Sequence, residues 1–102
     1  MRLEWSVFAL EDRDRIFDYL EAESLRAAVI VDDRIRTQVR QLLTFPETGR
    51  LGRVEGTREL VISRTPYIAA YRITSDAVRI LRLLHSAQQW PDEMLDARIG
   101  AV

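Results

Sequence analysis

The stretch from Arg58 to Pro91, RELVISRTPYIAAYRITSDAVRILRLLHSAQQWP, determines the predicted fold. Three runs within it are rich in the β-branched and aromatic residues that favour strands: Glu59–Ser63, Tyr67–Ile73 and Ala77–Leu84. Thr65-Pro66 separates the first two runs, because proline fixes its own φ and disfavours a helical conformation in the preceding residue. Thr74-Ser75-Asp76 supplies turn-forming side chains between the second and third runs. The stretch therefore predicts an antiparallel β-meander that leads into a polar and aromatic tip, His85–Trp90.

The residues before the meander predict one strand and two helices. Leu3, Trp5 and Val7 alternate with polar residues, which is the period of a half-buried strand. Apolar residues then recur at helical spacing over Ala9–Glu23. Ser24 has the side chain of an N-cap for a second helix, which should end near Thr44. Two helices joined by two or three residues pack antiparallel, so we expect a helical hairpin.

These elements predict an α+β fold. It has an opening strand, an antiparallel helical hairpin packed on a three-stranded antiparallel meander, and a short C-terminal helix or tail. We expect the helices to cover one apolar face of the meander, formed by Leu60, Ile62, Ile68, Ala70, Val78 and Ile80.

Length and composition exclude several classes of protein. A chain of 102 residues is expected to form a single domain, residues 1–102, around one modest core. The chain has no Cys and one His, so we expect neither disulfides, nor a metal site, nor a cofactor. It has no apolar run of the roughly 20 residues that a membrane span needs, and its start lacks the pattern of a signal peptide. These features predict a cytoplasmic protein with no membrane association.

Positive charge is concentrated in the middle of the chain. All 15 basic residues are Arg, and the net charge is −1. The balance of Arg over acids is −3 for residues 1–48, +4 for residues 49–82 and −2 for residues 83–102. The net charge argues against extensive binding of duplex DNA, but it leaves room for a local basic face. Phe45–Thr57, which holds three of the four glycines, lacks any periodicity and predicts a mobile, basic connection.

Several motifs in order resemble one known family. They are LEWSVFA, the helical hairpin, GR-x-GR-x-EGTREL, PYI-x-x-Y and ILR-x-LH-x-A-x-x-W-P, and together they cover nearly the whole chain. This set resembles the RelE/ParE superfamily of toxins from bacterial type II toxin–antitoxin systems. The resemblance implies a cognate antitoxin as partner, a small DNA-binding protein that is partly disordered when free.

In the ribonuclease branch of that superfamily, clustered basic, acidic, His and Tyr side chains on the meander and its exit cleave RNA. The residues here that match such positions are Arg58, Glu59, Arg64, Arg82 and His85. The Arg that typically follows the Tyr at the start of the second strand is replaced by Ile68, and an apolar side chain cannot stabilise charge on a phosphate. The predicted ribonuclease site is therefore incomplete, and we expect no enzymatic activity.

These departures and the phrase LLHSAQQWP resemble the ParE branch, whose toxins trap DNA gyrase in its DNA-cleaved state. We expect target contacts from the tip and tail, at His85, Gln88, Gln89, Trp90, Met94 and Leu95. We expect antitoxin contacts from the helical hairpin and from Arg58, Arg72, Arg79 and Arg82. Two alternatives stay open: a ribosome-dependent mRNA endonuclease, and a non-toxic binding remnant of the fold.

Overall fold

A computed structural model describes residues 1–87 and shows a five-stranded sheet with two helices on one face. The elements in chain order are β1 (Arg2–Trp5), α1 (Val7–Glu21), α2 (Leu25–Arg40), a 3-10 turn (Gln41–Leu43), β2 (Arg50–Leu51), β3 (Arg58–Val61), β4 (Tyr67–Ile73) and β5 (Ala77–His85). The predicted α+β fold, with its opening strand, helical hairpin and meander, is confirmed. The expected C-terminal helix or tail lies outside the described residues.

The strand order is β1-β5-β4-β3-β2. The meander β3-β4-β5 is antiparallel, as predicted. β1 lies parallel to β5, with Arg2 opposite Ala77 and Trp5 opposite Ile80. The short strand β2 lies inside Phe45–Thr57, the segment predicted as a mobile, basic connection, and it pairs with β3 through Arg50 and Glu59. The meander is thus extended on both sides by strands that come from earlier in the chain.

Local side-chain chemistry closes the hairpin between β3 and β4. The Thr65 hydroxyl donates to the Ile62 carbonyl at 2.9 Å and accepts from the Tyr67 amide at 3.0 Å. Arg64 takes a left-handed conformation with φ 64°, which non-glycine residues adopt mostly in tight turns. The predicted turn at Thr65-Pro66 is therefore confirmed.

Serine side chains define where both helices begin. The Ser24 hydroxyl accepts from the Ala27 amide at 3.1 Å, which confirms the predicted cap of α2. The buried Ser6 hydroxyl accepts from the Ala9 amide at 3.0 Å and donates to the Leu81 carbonyl at 2.7 Å. Because Ser6 caps α1, Val7 lies in the helix rather than in the opening strand, and α1 begins two residues earlier than predicted.

The core lies between the helices and one face of the sheet. Leu60, Ile62, Val78 and Ile80 pack there, as predicted. The expectation that Ile68 and Ala70 share this face is wrong, because Ala69 and Tyr71 face the helices instead. The register explains the difference. Leu60 pairs with Ala69, and directly opposite residues lie on the same face of a sheet. Because a shift of one residue exchanges the two faces of a strand, Ile68 and Ala70 lie on the face away from the helices.

The opposite face of the sheet carries a second buried cluster. Ala70, Leu81 and Leu84 form it, and Val54 from the β2–β3 connection packs against it. A register shift between Ala70 and Tyr71 leaves Leu81 as the extra residue of β5, which is a β-bulge. Both faces of the central strands are therefore apolar and buried, although only one lies under the helices.

Candidate functional site

A cavity of about 410 Å³ opens between α1 and the hairpin end of the sheet. Ile16, Leu20 and Leu83 contribute apolar walls. The polar and aromatic side chains that line it are Asp12, Arg15, Tyr19, Tyr67 and His85. The cavity offers an apolar interior with a few polar groups, which is the usual composition of a binding pocket.

His85 stands at the exposed end of β5, beside this cavity. Its ring meets the Tyr67 ring edge-on, with 5.6 Å between the centroids and 89° between the planes. Its Nδ1 atom accepts a hydrogen bond from the Ala87 amide at 3.1 Å. Burial raises the pKa of Tyr67, so its hydroxyl stays protonated near neutral pH and can donate a hydrogen bond.

Arg82 is held by Asp12 of α1. The Asp12 carboxylate is buried and accepts from Arg82 Nε at 2.7 Å, from Arg82 Nη2 at 3.0 Å and from the Leu83 amide at 3.0 Å. The hydrogen bond to Asp12 raises the pKa of Arg82. The guanidinium also lies 5.9 Å from the centre of the Phe8 ring. This charged pair fastens α1 to β5.

No role was assigned to Asp12 in the sequence analysis above. A signal for it exists, because Asp12 precedes Ile16 by four residues and Leu20 by eight, so it lies on the apolar face of α1. An acid on such a face needs a partner when it is buried.

Glu59 organises the β2–β3 connection. Its carboxylate is only 3% exposed and accepts from Arg50 Nη2 at 3.0 Å and from the Arg53 amide at 2.8 Å. Arg53 Nε lies 3.4 Å from Glu59 Oε2, the oxygen that also accepts from the Arg53 amide. This arrangement gives Glu59 a structural task in the connection.

The five predicted catalytic residues do not meet in one site. Arg58 donates to the Gly49 carbonyl at 2.8 Å, and the carbonyl of Arg64 accepts from Arg34 at 3.0 Å. Arg58 pairs with Tyr71 and His85 pairs with Tyr67. Tyr67 and Tyr71 are four residues apart on β4, so Arg58 and His85 are separated by about 13 Å along the strand direction. The predicted catalytic roles remain predictions.

Two of the predicted antitoxin contacts, Arg72 and Arg79, lie directly opposite each other on β4 and β5. Arg79 Nε is 3.3 Å from Glu4 Oε1. The predicted target contacts Gln88, Gln89, Trp90, Met94 and Leu95 lie outside the described residues. Within residues 1–87, no three His, Asp or Glu side chains are placed to hold a metal ion, and no helix is both long and apolar enough to cross a membrane.

Comparison with known proteins decides the family. The family model described as the ParE toxin of the type II toxin–antitoxin system, parDE, matches residues 3–90. The chain belongs to the ParE toxin family. The predicted membership of the RelE/ParE superfamily, nearer the ParE branch, is confirmed, and the protein is a toxin of the type II toxin–antitoxin class.

Relatives of this ParE-family chain agree over most of its length. It is 46% identical over 90 residues to "Putative toxin Y4kP" of Sinorhizobium fredii, and these residues make up 88% of this chain and 93% of the relative. It is 36% identical over 84 residues to "Toxin RelE2" of Caulobacter vibrioides, and these residues make up 82% of this chain and 93% of the relative. A solved structure described as the chromosomal ParDE TA system from P. aeruginosa has a TM-score of 0.75 and 31% identity, covering 83% of this chain and 95% of that one.

Tyr71 anchors the connection that leads into the sheet. Its hydroxyl donates to the Pro46 carbonyl at 2.6 Å and accepts from the buried Gly49 amide at 2.9 Å. A Cβ atom on Gly49 would lie 2.6 Å from that hydroxyl, so the close approach requires glycine. Burial raises the pKa of Tyr71. The stabilising effect of the protonated Tyr71 hydroxyl should therefore be complete below the ordinary Tyr pKa of about 10. It should be lost as the pH rises through the higher pKa of Tyr71 in the folded protein.

Replacing Tyr71 with Phe is expected to lower the free energy of unfolding by about 1–3 kcal/mol, because the Gly49 amide and the Pro46 carbonyl lose their partner. Urea unfolding at pH 7 measures the change. Tyr19→Phe is the matched control, since Tyr19 is 73% exposed and its variant should match the wild type. Equal stability of the Tyr71→Phe and Tyr19→Phe proteins would contradict this role of the Tyr71 hydroxyl.

Proposed function

We propose that this toxin acts on DNA gyrase by binding to it and performs no bond-breaking chemistry itself. The observation that carries the proposal is the dispersal of the residues that an RNA-cleaving site would need. General acid–base catalysis requires its groups within hydrogen-bond reach of one reacting centre. Here Glu59 and Arg82 serve ion pairs inside the fold, and Arg58 lies about 13 Å along the strand direction from His85.

The position of Ile68 supports the same conclusion. The ribonuclease branch typically has an Arg there, and in this chain the side chain is apolar and only 4% exposed. A buried isoleucine supplies no charge to a phosphate in the transition state. The resemblance to the ParE branch then supplies the target, because toxins of that branch trap gyrase after it has cut DNA.

Membership of a type II family implies a cognate antitoxin. We place its binding surface on the helical hairpin, which exposes Leu10, Val29 and Ile30. A second cavity of about 400 Å³ lies between the helices and is lined by Leu10, Arg13, Asp14, Phe17 and Asp32. Such a groove suits an amphipathic helix that folds on binding. Of the four Arg predicted as antitoxin contacts, Arg82 is already engaged by Asp12, and the four contacts remain predictions.

An assay with purified gyrase tests the proposal. Gyrase, supercoiled plasmid and ATP are incubated with the toxin, and the products are treated with detergent and protease before electrophoresis. Toxin-dependent linear DNA is expected, and it should be absent without gyrase or with an excess of antitoxin. In cells, SOS induction and filamentation should follow. Cleaved mRNA on purified ribosomes, with gyrase unaffected, would contradict the proposal.

A second candidate function, an mRNA endonuclease, rests on a different observation. His85 and Tyr67 are in ring contact beside a cavity that Arg15 also lines, which gives one possible acid or base and one cation in the same place. One relative is named "Toxin RelE2". This candidate needs His85, whereas a gyrase poison does not need it for proton transfer.

His85→Ala separates the two candidates. We expect the variant to remain toxic at matched expression, because binding to gyrase requires no proton transfer at His85 and the loss of one predicted target contact should weaken binding only in part. A ribonuclease that used His85 as acid or base would lose about a hundredfold or more in cleavage rate. Ser86→Ala, at the neighbouring exposed residue, is the control, and a cooperative melt of each protein excludes unfolding. A folded but non-toxic His85→Ala protein would reverse the order of the two candidates.

A further inference from the structure

Arg72 and Arg79 form a like-charged pair on the sheet face that lies away from the helices. They are directly opposite each other in the β4–β5 register. Their chain neighbours Tyr71, Val78 and Ile80 pack in the core under the helices, so the alternation of a strand places both Arg side chains on the other face. Opposite residues of an antiparallel pair have Cβ atoms only about 4.5–5.5 Å apart, and like charges in this arrangement destabilise a sheet.

The surrounding acids compensate this charge only in part. Glu4 accepts from Arg79 Nε at 3.3 Å and from Arg2 Nη2 at 3.0 Å, and Arg2 Nη1 also pairs with Asp76 at 2.9 Å. The hydrogen bond from Arg2 lowers the pKa of Glu4, so this carboxylate is ionised at neutral pH. Within residues 1–87, the side chain of Arg72 makes no ion pair or hydrogen bond. Three guanidinium groups (Arg2, Arg72 and Arg79) therefore face two carboxylates (Glu4 and Asp76), and Arg72 carries the positive charge that no carboxylate in the described part of the chain balances.

The patch offers charge but little exposed apolar area. The apolar residues two positions away on the same strands and face, Ala70, Ala77 and Leu81, are all buried. A partner helix that folds on binding needs apolar surface, and the exposed apolar residues of the hairpin lie on the helix side of the sheet. A phosphate backbone has no such need, because its binding is driven by charge and by the release of counterions.

We infer that the Arg72–Arg79 pair, rather than serving as the antitoxin contacts predicted from the sequence, is a phosphate-binding patch that contacts the backbone of a nucleic acid. Each guanidinium presents a planar fork that matches phosphate geometry, and a phosphate between the two would relieve their mutual repulsion. The identity of the nucleic acid rests on the proposed function, because a toxin bound to gyrase would contact the DNA that gyrase holds. The presence of a phosphate-binding patch does not rest on it. The overall charge of −1 means that binding to free nucleic acid should be weak and strongly dependent on salt.

The test measures binding of the full chain to two probes, a fluorescein-labelled 20-base-pair DNA duplex and a labelled single-stranded RNA of the same length, by anisotropy at several salt concentrations. Arg72→Gln and Arg79→Gln are each expected to weaken binding about fivefold and to reduce the slope of log K against log salt by about one. Arg36→Gln, at a 56% exposed side chain on α2, is the control and should bind as the wild type does. The Arg72→Gln variant should melt at or above the wild-type temperature, because it removes a like-charge contact.

Five outcomes separate the possibilities. Loss of DNA binding in both variants supports the patch together with the gyrase proposal. Loss of RNA binding alone supports the patch but contradicts gyrase as the setting. A wild-type protein that binds neither probe, or variants that bind as tightly as Arg36→Gln, would overturn the inference. It would equally be overturned if the double variant Arg72→Gln/Arg79→Gln kept nucleic-acid binding but lost affinity for antitoxin in calorimetry, since the pair would then bind the antitoxin.

Discussion

Replacing Asp12 with Ala is expected to lower the free energy of unfolding by about 3 kcal/mol, the lower end of the range for breaking a buried charge pair. Asp12 is 5% exposed and Arg82 is 19% exposed in their side chains, so the guanidinium loses a short partner that water only partly replaces. The Leu83 amide loses its acceptor as well. For a domain of this size, each kcal/mol corresponds to about 4–8 °C in Tm. Thermal and urea unfolding both report the change.

Two further variants show whether the pair itself is responsible. Asp18→Ala changes an exposed acid on the same helix and should stay within about 0.5 kcal/mol of the wild type. The double variant Asp12→Ala/Arg82→Ala should lose at least about 1 kcal/mol less than the sum of the two single variants, because each single variant leaves one charge without its partner. Strict additivity of the two changes would show that Asp12 and Arg82 act independently.

Removing residues 91–102, directly after Trp90, is expected to reduce toxicity by a factor of about ten or more. The segment contains Met94 and Leu95, which we predicted as target contacts, and a few side chains at the centre of an interface can each contribute about 2 kcal/mol or more. The truncation leaves every strand from Arg2 to His85 in place, so stability should fall by no more than a few kcal/mol. Antitoxin binding at the helical hairpin should persist.

Growth inhibition at matched expression, a thermal melt and calorimetry with the antitoxin measure these three quantities. The double variant Met94→Ser/Leu95→Ser should reproduce the loss of toxicity in the full-length chain, whereas Asp92→Asn should not. A truncated protein that folds, binds antitoxin and still kills cells would place the target surface elsewhere. The cavity beside His85 and Tyr67 would then be the next surface to test.

Local chemistry in the sequence determined the elements that the structure confirms. The turn between β3 and β4 follows from Thr65 and Pro66, whose hydrogen bonds and restricted φ act over a few residues. The start of α2 follows from the hydroxyl of Ser24, which reaches an amide three residues away. The three runs of the meander follow from the preference of β-branched and aromatic side chains for strands. The ordered motifs also identified the toxin family.

Only the tertiary structure decided which distant residues meet. β1 pairs with β5 across 75 residues, and Asp12 finds Arg82 across 70, so no local pattern encodes either contact. The face of Ile68 depended on the register between β3 and β4, because strand alternation has a period of two and an offset of one residue exchanges the faces. The register between β4 and β5 likewise sets Arg72 opposite Arg79. The types and order of the elements were therefore properties of the sequence, whereas the partners of its charged side chains depended on packing between segments far apart in the chain.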